Sequence, residues 1–254
     1  LLVADGLRMT GESYAIEDYT TLEQAGKDTG LGSDGRRWLW KGKTIENIVI
    51  DGGNNTLFGG NGNDILMGST GSDILNAGEG NNTLLGDLGR IAMDFYFNVP
   101  LEVATLGTVG GNDVIEAGRG DNFLLGGVGN DRIATSDVPG SRNIVLGDTG
   151  RITFKQSGVT FAVNAVGNRM LDHVIASPLD GGGGNDRIAM NAGTAIVMGG
   201  DGADTITLAA LSPDAQNTRW IAGDHAWLAT DAIGGVNVLS SLDIVDGAGI
   251  AQGS

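Results

Sequence analysis

The strongest constraint on this chain is a nine-residue period. From residue 50 it runs without insertion through IDGGNNTLF, GGNGNDILM, GSTGSDILN and AGEGNNTLL to residue 85. In that frame position 8 is Leu57, Leu66, Leu75 and Leu84, and position 6 is Asn55, Asp64, Asp73 and Asn82. A unit this short has no core of its own, so it is stable only when stacked on further copies, and the chain must be a solenoid. A second block, TVGGNDVIE, AGRGDNFLL and GGVGNDRIA, fills 108–134 before a longer turn ending RNIVL at 146. A third, GGGGNDRIA, MNAGTAIVM and GGDGADTIT, fills 181–207 before a longer turn ending TRWIA at 222. The nonamers starting at 59, 126, 181 and 199 match Gly-Gly-x-Gly-x-Asp-x-apolar-x without a mismatch.

Three residues of each nonamer form a strand whose inward residue is position 8, and the other six form a turn. Two nonamers complete a coil, so residues 18 apart are neighbours in one parallel sheet. With 45 glycines in 254 residues, no window sustains a helical period unbroken. The rule places Asp113 with Asp131 on one edge, opposite Asn122 and Asn143, and Asp186 with Asp204 on one edge, opposite Ala195 and Arg219. The first block is mixed, with Asn55 and Asp73 on one side and Asp64 and Asn82 on the other. The outward positions 7 and 9 beside the Asp edge are largely polar: Val114, Glu116, Arg132, Ala134, Arg187, Ala189, Thr205 and Thr207. In the other sheet they are Phe123, Leu125, Ile144, Leu146, Ile196, Met198, Trp220 and Ala222. A wet sheet has no use for so apolar an outer face, so something covers it: either hairpins folded back from the coil or a neighbouring chain.

The hairpins have their own signature. Each block ends in GDLGRI at 86, GDTGRI at 147 or GDHAWL at 223, with a weaker ADGLRM at 4, and a run of β character follows: 91–99, 152–166 and 227–245. The last two carry a central glycine, as hairpins leaving the coil would. Residues 1–49, with RRWLWKG and IENIVI, read as the same excursion returning into register at Ile48. The expected organisation is one continuous solenoid over 1–254 with partial units 1–85, 86–146, 147–222 and 223–254. The opening LLVADG reads as the start of a segment within something longer. Asp87, Asp148 and Asp224 recur at one point of this larger repeat. They either bind a cation or hydrogen-bond the turn into the hairpin; the second is favoured. Arg90 and Arg151 would then pair with such an acid.

Charge narrows the partners. Asp and Glu number 31 against 15 Lys and Arg, a net charge of -16 that argues against nucleic acid and for a counter-cation. There is no cysteine, hence no thiolate site, disulfide or cysteine nucleophile. His173 and His225 are too few for a zinc centre and sit in no catalytic arrangement. The four tryptophans, Trp38, Trp40, Trp220 and Trp227, read as cover for an apolar face rather than a sugar platform. The NNT sequons at 54 and 81 fall in repeat turns and are discounted. Asp51, Asp121, Asp180 and Asp201 also lie in turns, facing either solvent or an ion. Carboxylate pairs are accounted for by turns rather than clefts, so an enzyme is not expected.

This nonamer resembles the calcium-binding RTX repeat of secreted bacterial proteins. The resemblance implies an all-β parallel β-roll, a two-sheet β-solenoid, with hairpin excursions covering one sheet here. It also implies several Ca²⁺ ions held where position-6 carboxylates and turn carbonyls of successive coils meet. The chemistry agrees, because Ca²⁺ takes six to eight hard oxygens in loose geometry. The candidate ligands are Asp64, Asp73, Asp113, Asp131, Asp186 and Asp204, with Asn55, Asn82 and Asn122 able to offer only an amide oxygen. The family is thought to cross a type I secretion channel unfolded and to fold outside the cell. A secreted or cell-surface scaffold follows, with no membrane span, whose partners are calcium ions and either neighbouring repeats, other copies of itself or a cell surface. An adhesin-like segment is the first expectation. The rivals are an S-layer or filament subunit and the calcium-binding tail of a secreted toxin, lipase or protease.

Overall fold

The computed structural model describes residues 2–3, 7–16, 37–47, 52–93, 99–136, 138–157, 160–161, 170–176, 183–209, 219–233, 236–246 and 249–251. Position 8 points inward wherever the nonamer repeats, and the strands fall into two parallel sheets facing each other. The middle sheet runs, in spatial order, β1 (Leu2–Val3), β5 (Ile65–Met67), β7 (Thr83–Leu85), β11 (Phe123–Leu125), β13 (Arg142–Leu146), β19 (Thr194–Met198) and β21 (Arg219–Ala222). The outer sheet runs β4 (Thr56–Phe58), β6 (Ile74–Asn76), β10 (Val114–Ala117), β12 (Arg132–Thr135), β18 (Arg187–Met190) and β20 (Thr205–Leu208).

The 18-residue rule holds inside each block: Leu57 pairs with Leu75, Leu66 with Leu84, Ile115 with Ile133, and Ile188 with Ile206. Pairing also continues across the excursions, joining Leu75 to Ile115, Leu84 to Leu124, Ile133 to Ile188 and Val145 to Val197. The inward residues of the two sheets, Leu66, Leu75, Leu84, Ile115, Leu124, Ile133, Val145, Ile188 and Val197, form the thin core between them. Aliphatic side chains suit this gap because a parallel coil has no room for alternating large rings.

The excursions build a third layer. They form one nine-stranded antiparallel sheet in the order β2 (Leu7–Ile16), β3 (Arg37–Asn47), β8 (Gly89–Met93), β9 (Pro100–Thr105), β14 (Gly150–Phe154), β17 (Leu171–Ala176), β22 (His225–Ile233), β23 (Val236–Asp246), β24 (Gly249–Ala251). This covering sheet lies on the apolar face of the middle sheet. Met67, Leu85, Phe123, Leu125, Ile144, Leu146, Ile196 and Met198 pack there against Ile45, Ile91, Val103, Ile152, Phe154, Val174 and Leu228. Hairpins of the chain itself are thus the cover, and Trp220 packs against the same cluster. A two-stranded ribbon, β15 (Gln156–Ser157) with β16 (Thr160–Phe161), extends from β14. The outer sheet keeps its outward face wet, with Phe58 and Ile74 exposed on it.

The return strands β9 and β17 lie beyond the runs of β character at 91–99 and 152–166, and one expectation about the excursions needs correction. Arg90 and Arg151 do not pair with the aspartates of the exit signature. Strand alternation turns them onto the solvent face of the covering sheet, where Arg90 lies 3.9 Å from Glu46 and Arg151 3.8 Å from Glu102 on neighbouring strands. Among the described residues no helix is long and apolar enough to cross a membrane.

Candidate cation-binding edge

Each passage from the middle to the outer sheet runs along one edge of the roll, and each return along the other. The first edge carries Asn55, Asp73, Asp113, Asp131, Asp186 and Asp204, one per coil. Their side chains turn inward and form a ladder. The Oδ1 of each accepts the backbone N–H of its counterpart in the preceding coil: Asn55 to Asp73 at 2.6 Å, Asp73 to Asp113 at 2.7 Å, Asp113 to Asp131 at 2.8 Å, Asp131 to Asp186 at 2.7 Å and Asp186 to Asp204 at 2.9 Å. The three blocks therefore share one acidic edge that no 18-residue interval links.

The second carboxylate oxygen is the chemically informative one. Oδ2 of Asp113, Asp131, Asp186 and Asp204 is buried without a hydrogen-bond donor. It faces a further acceptor. At Gly86, Gly126, Gly147 and Gly199 an added Cβ would come within 3.0 Å both of that Oδ2 (of Asp113, Asp131, Asp186 and Asp204 respectively) and of the carbonyl oxygen of the glycine opening the next turn, Gly126, Gly147, Gly199 and Gly223. Glycine is needed here for close approach, since the space it leaves is lined by a carboxylate and a carbonyl. Two acceptors facing each other with no proton between them fit a hard cation.

Electrostatics point the same way. Asp113, Asp131 and Asp186 are 1 %, 2 % and 1 % exposed. Burial, opposed by a backbone hydrogen bond and reinforced by Asp73, pushes the Asp113 carboxyl up to about 7. Burial and the charge of Asp113 push Asp131 up to about 9, and burial with the charge of Asp204 pushes Asp186 up to about 7. Asp204 is raised by burial and by Asp224 and Asp201. The fold without an ion therefore disfavours ionised carboxylates that water would ionise fully at neutral pH.

The other edge solves the problem differently. Asp64, Asn82, Asn122 and Asn143 stack there, with Asp64 N–H donating to Asn82 Oδ1, Asn82 N–H to Asn122 Oδ1 and Asn122 N–H to Asn143 Oδ1. The amide Nδ2 of Asn82 donates to the carbonyls of Gly78 and Gly80, and that of Asn122 to Gly118 and Gly120. Each Asn amide thus supplies the positive partner that turn carbonyls need. Asp64 is the exception on this edge: its Oδ2 is buried without a donor and shares the space at Gly59 with the Ala77 carbonyl.

A second ladder escaped the sequence reading. Asn112 Oδ1 accepts from Asn130 N–H, Asn130 Oδ1 from Asn185 N–H, and Asn185 Oδ1 from Ala203 N–H. Asn63, Asn81 and Asp121 do the same on the other edge. The signal was the Asn that recurs at position 5 before position-6 Asp or Asn. Asp121 also ion-pairs with Arg142. Asp201 lies 3.4 Å from Nε2 of the buried His225, while Asp51 and Asp180 fall outside the described residues. Among the described residues, no three His, Cys, Asp or Glu side chains converge as a metal centre. The edge offers a buried carboxylate at each of Asp73, Asp113, Asp131 and Asp186, with glycine carbonyls beside the last three.

A three-layer β protein whose parallel roll stacks glycine turns over inward carboxylates is a repeat solenoid with one strongly acidic edge. A family model for the RTX calcium-binding nonapeptide repeat matches four copies, over residues 50–84, 108–137 and 191–209. Over those residues, about a third of its length, the chain is similar to the RTX calcium-binding nonapeptide repeat, a structural and not a catalytic element. Asp186 lies outside the matched ranges yet repeats at Gly147 the geometry that Asp131 has at Gly126. Comparison with curated proteins and with solved structures gave no match.

Proposed function

We propose that this chain is an extracellular scaffold segment whose folding is driven by Ca²⁺ after export, within an adhesin-like surface protein. The observation that carries the reading is the row of buried Oδ2 atoms of Asp113, Asp131, Asp186 and Asp204, none of which has a donor and each of which lies beside a glycine carbonyl. These carboxylates with Asp73, and Asp64 on the opposite edge, would hold the ions. Asn82 and Asn122 contribute their side-chain amide oxygens to the ladder of the other edge, and Asn55 donates its backbone N–H to Asp73. When bound, Ca²⁺ supplies the positive charge that lets such carboxylates stay ionised inside the fold. In a calcium-poor cytosol their mutual repulsion and the entropy of 45 glycines keep the chain open; outside, at roughly millimolar Ca²⁺, binding energy becomes folding energy. The sheets support reading residues 1–254 as one continuous solenoid of units 1–85, 86–146, 147–222 and 223–254.

Circular dichroism and analytical ultracentrifugation with and without Ca²⁺ test this. At pH 8, monomeric β structure that forms with the ion and not without it is the expected result. Growth into large particles favours a lattice or filament subunit, and absence of any β gain defeats the proposal. Asp131→Ala should weaken the calcium response more than Asn143→Ala, in a titration followed by ellipticity, because only the first removes a buried carboxylate.

A further inference from the structure

Along the acidic edge, closed and split turns alternate. Residues 68–73, 126–131 and 199–204 are compact turns joining β5 to β6, β11 to β12 and β19 to β20. Between them, β7 reaches β10 only through β8 and β9, and β13 reaches β18 only through β14 and β17. Each of these coils is therefore cut at the edge, with an exit limb at 86–88 or 147–149 and a return limb at 106–113 or 183–186. A carboxylate spans each cut. Asp87 sits on the exit limb; its Oδ1 accepts the N–H of Gly111 on the return limb at 3.0 Å, and its Oδ2 accepts the N–H of Val128 in the next closed turn at 2.6 Å. Asp148 repeats this, with Oδ1 accepting from Gly184 at 3.0 Å and Oδ2 from Asp201. Both are buried, 1 % and 2 % exposed.

The same cuts carry two of the orphaned oxygens. The cradle at Gly86 joins the exit limb, the Asp113 Oδ2 of the return limb and the Gly126 carbonyl of the next coil. That at Gly147 joins the exit limb, Asp186 Oδ2 and the Gly199 carbonyl. We infer that Asp87 and Asp148 are staples that make each split turn whole, so that a divalent cation in the cradle beside each one also clasps the adjoining hairpin of the covering sheet to the roll. This rests on the calcium reading above and extends it: occupancy of the split turns and docking of the hairpins are one event. The residue must be Asp, because both oxygens accept an N–H; asparagine would turn its own NH₂ against one of them. It is a positioning residue, with the ion held by Asp113 or Asp186.

The two staples control for each other. In full-length Asp87→Asn, hydrogen exchange across a Ca²⁺ titration should show the concentration that protects Gly89–Met93 and Pro100–Thr105 rising by about tenfold, the consequence of losing one charge-assisted bond. Protection of Gly150–Phe154 and Leu171–Ala176 should move much less, and Asp148→Asn should reverse the pattern. Hairpins that shift together, or a requirement that is unchanged or lower, overturn the inference while leaving calcium binding intact. Wild-type protection independent of Ca²⁺ removes the calcium reading and this inference with it. Should neither variant fold, stepwise Ca²⁺ withdrawal from wild type decides. The Gly111 and Gly184 amides must lose protection in step with their own hairpins, and a hairpin that opens while its amide stays protected refutes the staple.

Discussion

In calcium-free buffer, lowering the pH from about 8 to about 5 should increase the β structure of this protein, and adding Ca²⁺ should reverse the sign of that dependence. Burial, with repulsion from neighbouring carboxylates, lifts Asp113 and Asp186 to about 7, Asp148 to about 8 and Asp87 and Asp131 to about 9, from an ordinary 3.8. A folded-state value above the unfolded one means that the fold binds the extra proton. Its contribution is fully present below the unfolded value near 3.8 and is lost as the pH rises through 7 to 9. Each pH unit between the two values corresponds to about 1.4 kcal/mol, and a typical domain has only about 5–15 kcal/mol in total. One such group is thus a large fraction of the stability at pH 8. A bound cation stabilises the ionised form, so protons then compete with it and acid becomes destabilising. Ellipticity of dialysed protein at the two pH values, each with and without Ca²⁺, measures all four states. Equal β content at both pH values without Ca²⁺ would refute the electrostatic account of why the chain needs an ion.

How far the sequence leads depends on whether a residue lies inside an uninterrupted frame. Leu66 with Leu84 and Asp113 with Asp131 follow from a spacing of 18 alone. Asp73 with Asp113 and Asp131 with Asp186 are separated by 40 and 55 residues, because a hairpin of variable length intervenes. Their pairing is set by the sheet hydrogen bonds on either side, which no interval encodes. Hence one acidic edge running through all blocks reads, from sequence, as separate local pairs. The apolar outer residues Phe123, Leu125, Ile196 and Met198 announce a cover, and the excursions supply it. That the excursions join into a single sheet depends on strands such as β9, which pairs with β14 as well as with β8. The favoured role of Asp87 and Asp148 as hydrogen-bonding turn residues matches the observed N–H contacts. The paired arginines are a different case: their partners, Glu46 and Glu102, come from neighbouring strands rather than the local motif.

The contrast between the two edges leads to the second large effect, a reciprocal exchange. Asp131→Asn should raise stability in calcium-free buffer at pH 8 and lower the number of bound ions, and Asn122→Asp should do the opposite. Asn122 shows what the amide does: Oδ1 accepts the Asn82 N–H at 3.0 Å while Nδ2 reaches the Gly118 and Gly120 carbonyls. Residue 131 occupies the equivalent place, its Oδ1 accepting the Asp113 N–H at 2.8 Å and its turn carrying Gly127 and Gly129 at the corresponding positions. An asparagine there keeps the ladder bond, satisfies the turn carbonyls and removes a carboxyl held near 9. The gain without ion should be several kcal/mol, about 1–3 from relieving an unsatisfied buried polar group and the remainder from lost repulsion. With Ca²⁺ present the gain should vanish, because the wild type then recovers the binding free energy that the variant lacks. At 122 the new carboxylate would confront the Gly118 and Gly120 carbonyls without a proton, so the variant should unfold more readily without Ca²⁺ and recover when it is added. Urea unfolding of both variants with and without Ca²⁺, with calcium counted by isothermal titration, decides the matter. Two variants that change stability equally in the two buffers would mean that the carboxylates of this edge are turn caps alone, with no cation between them.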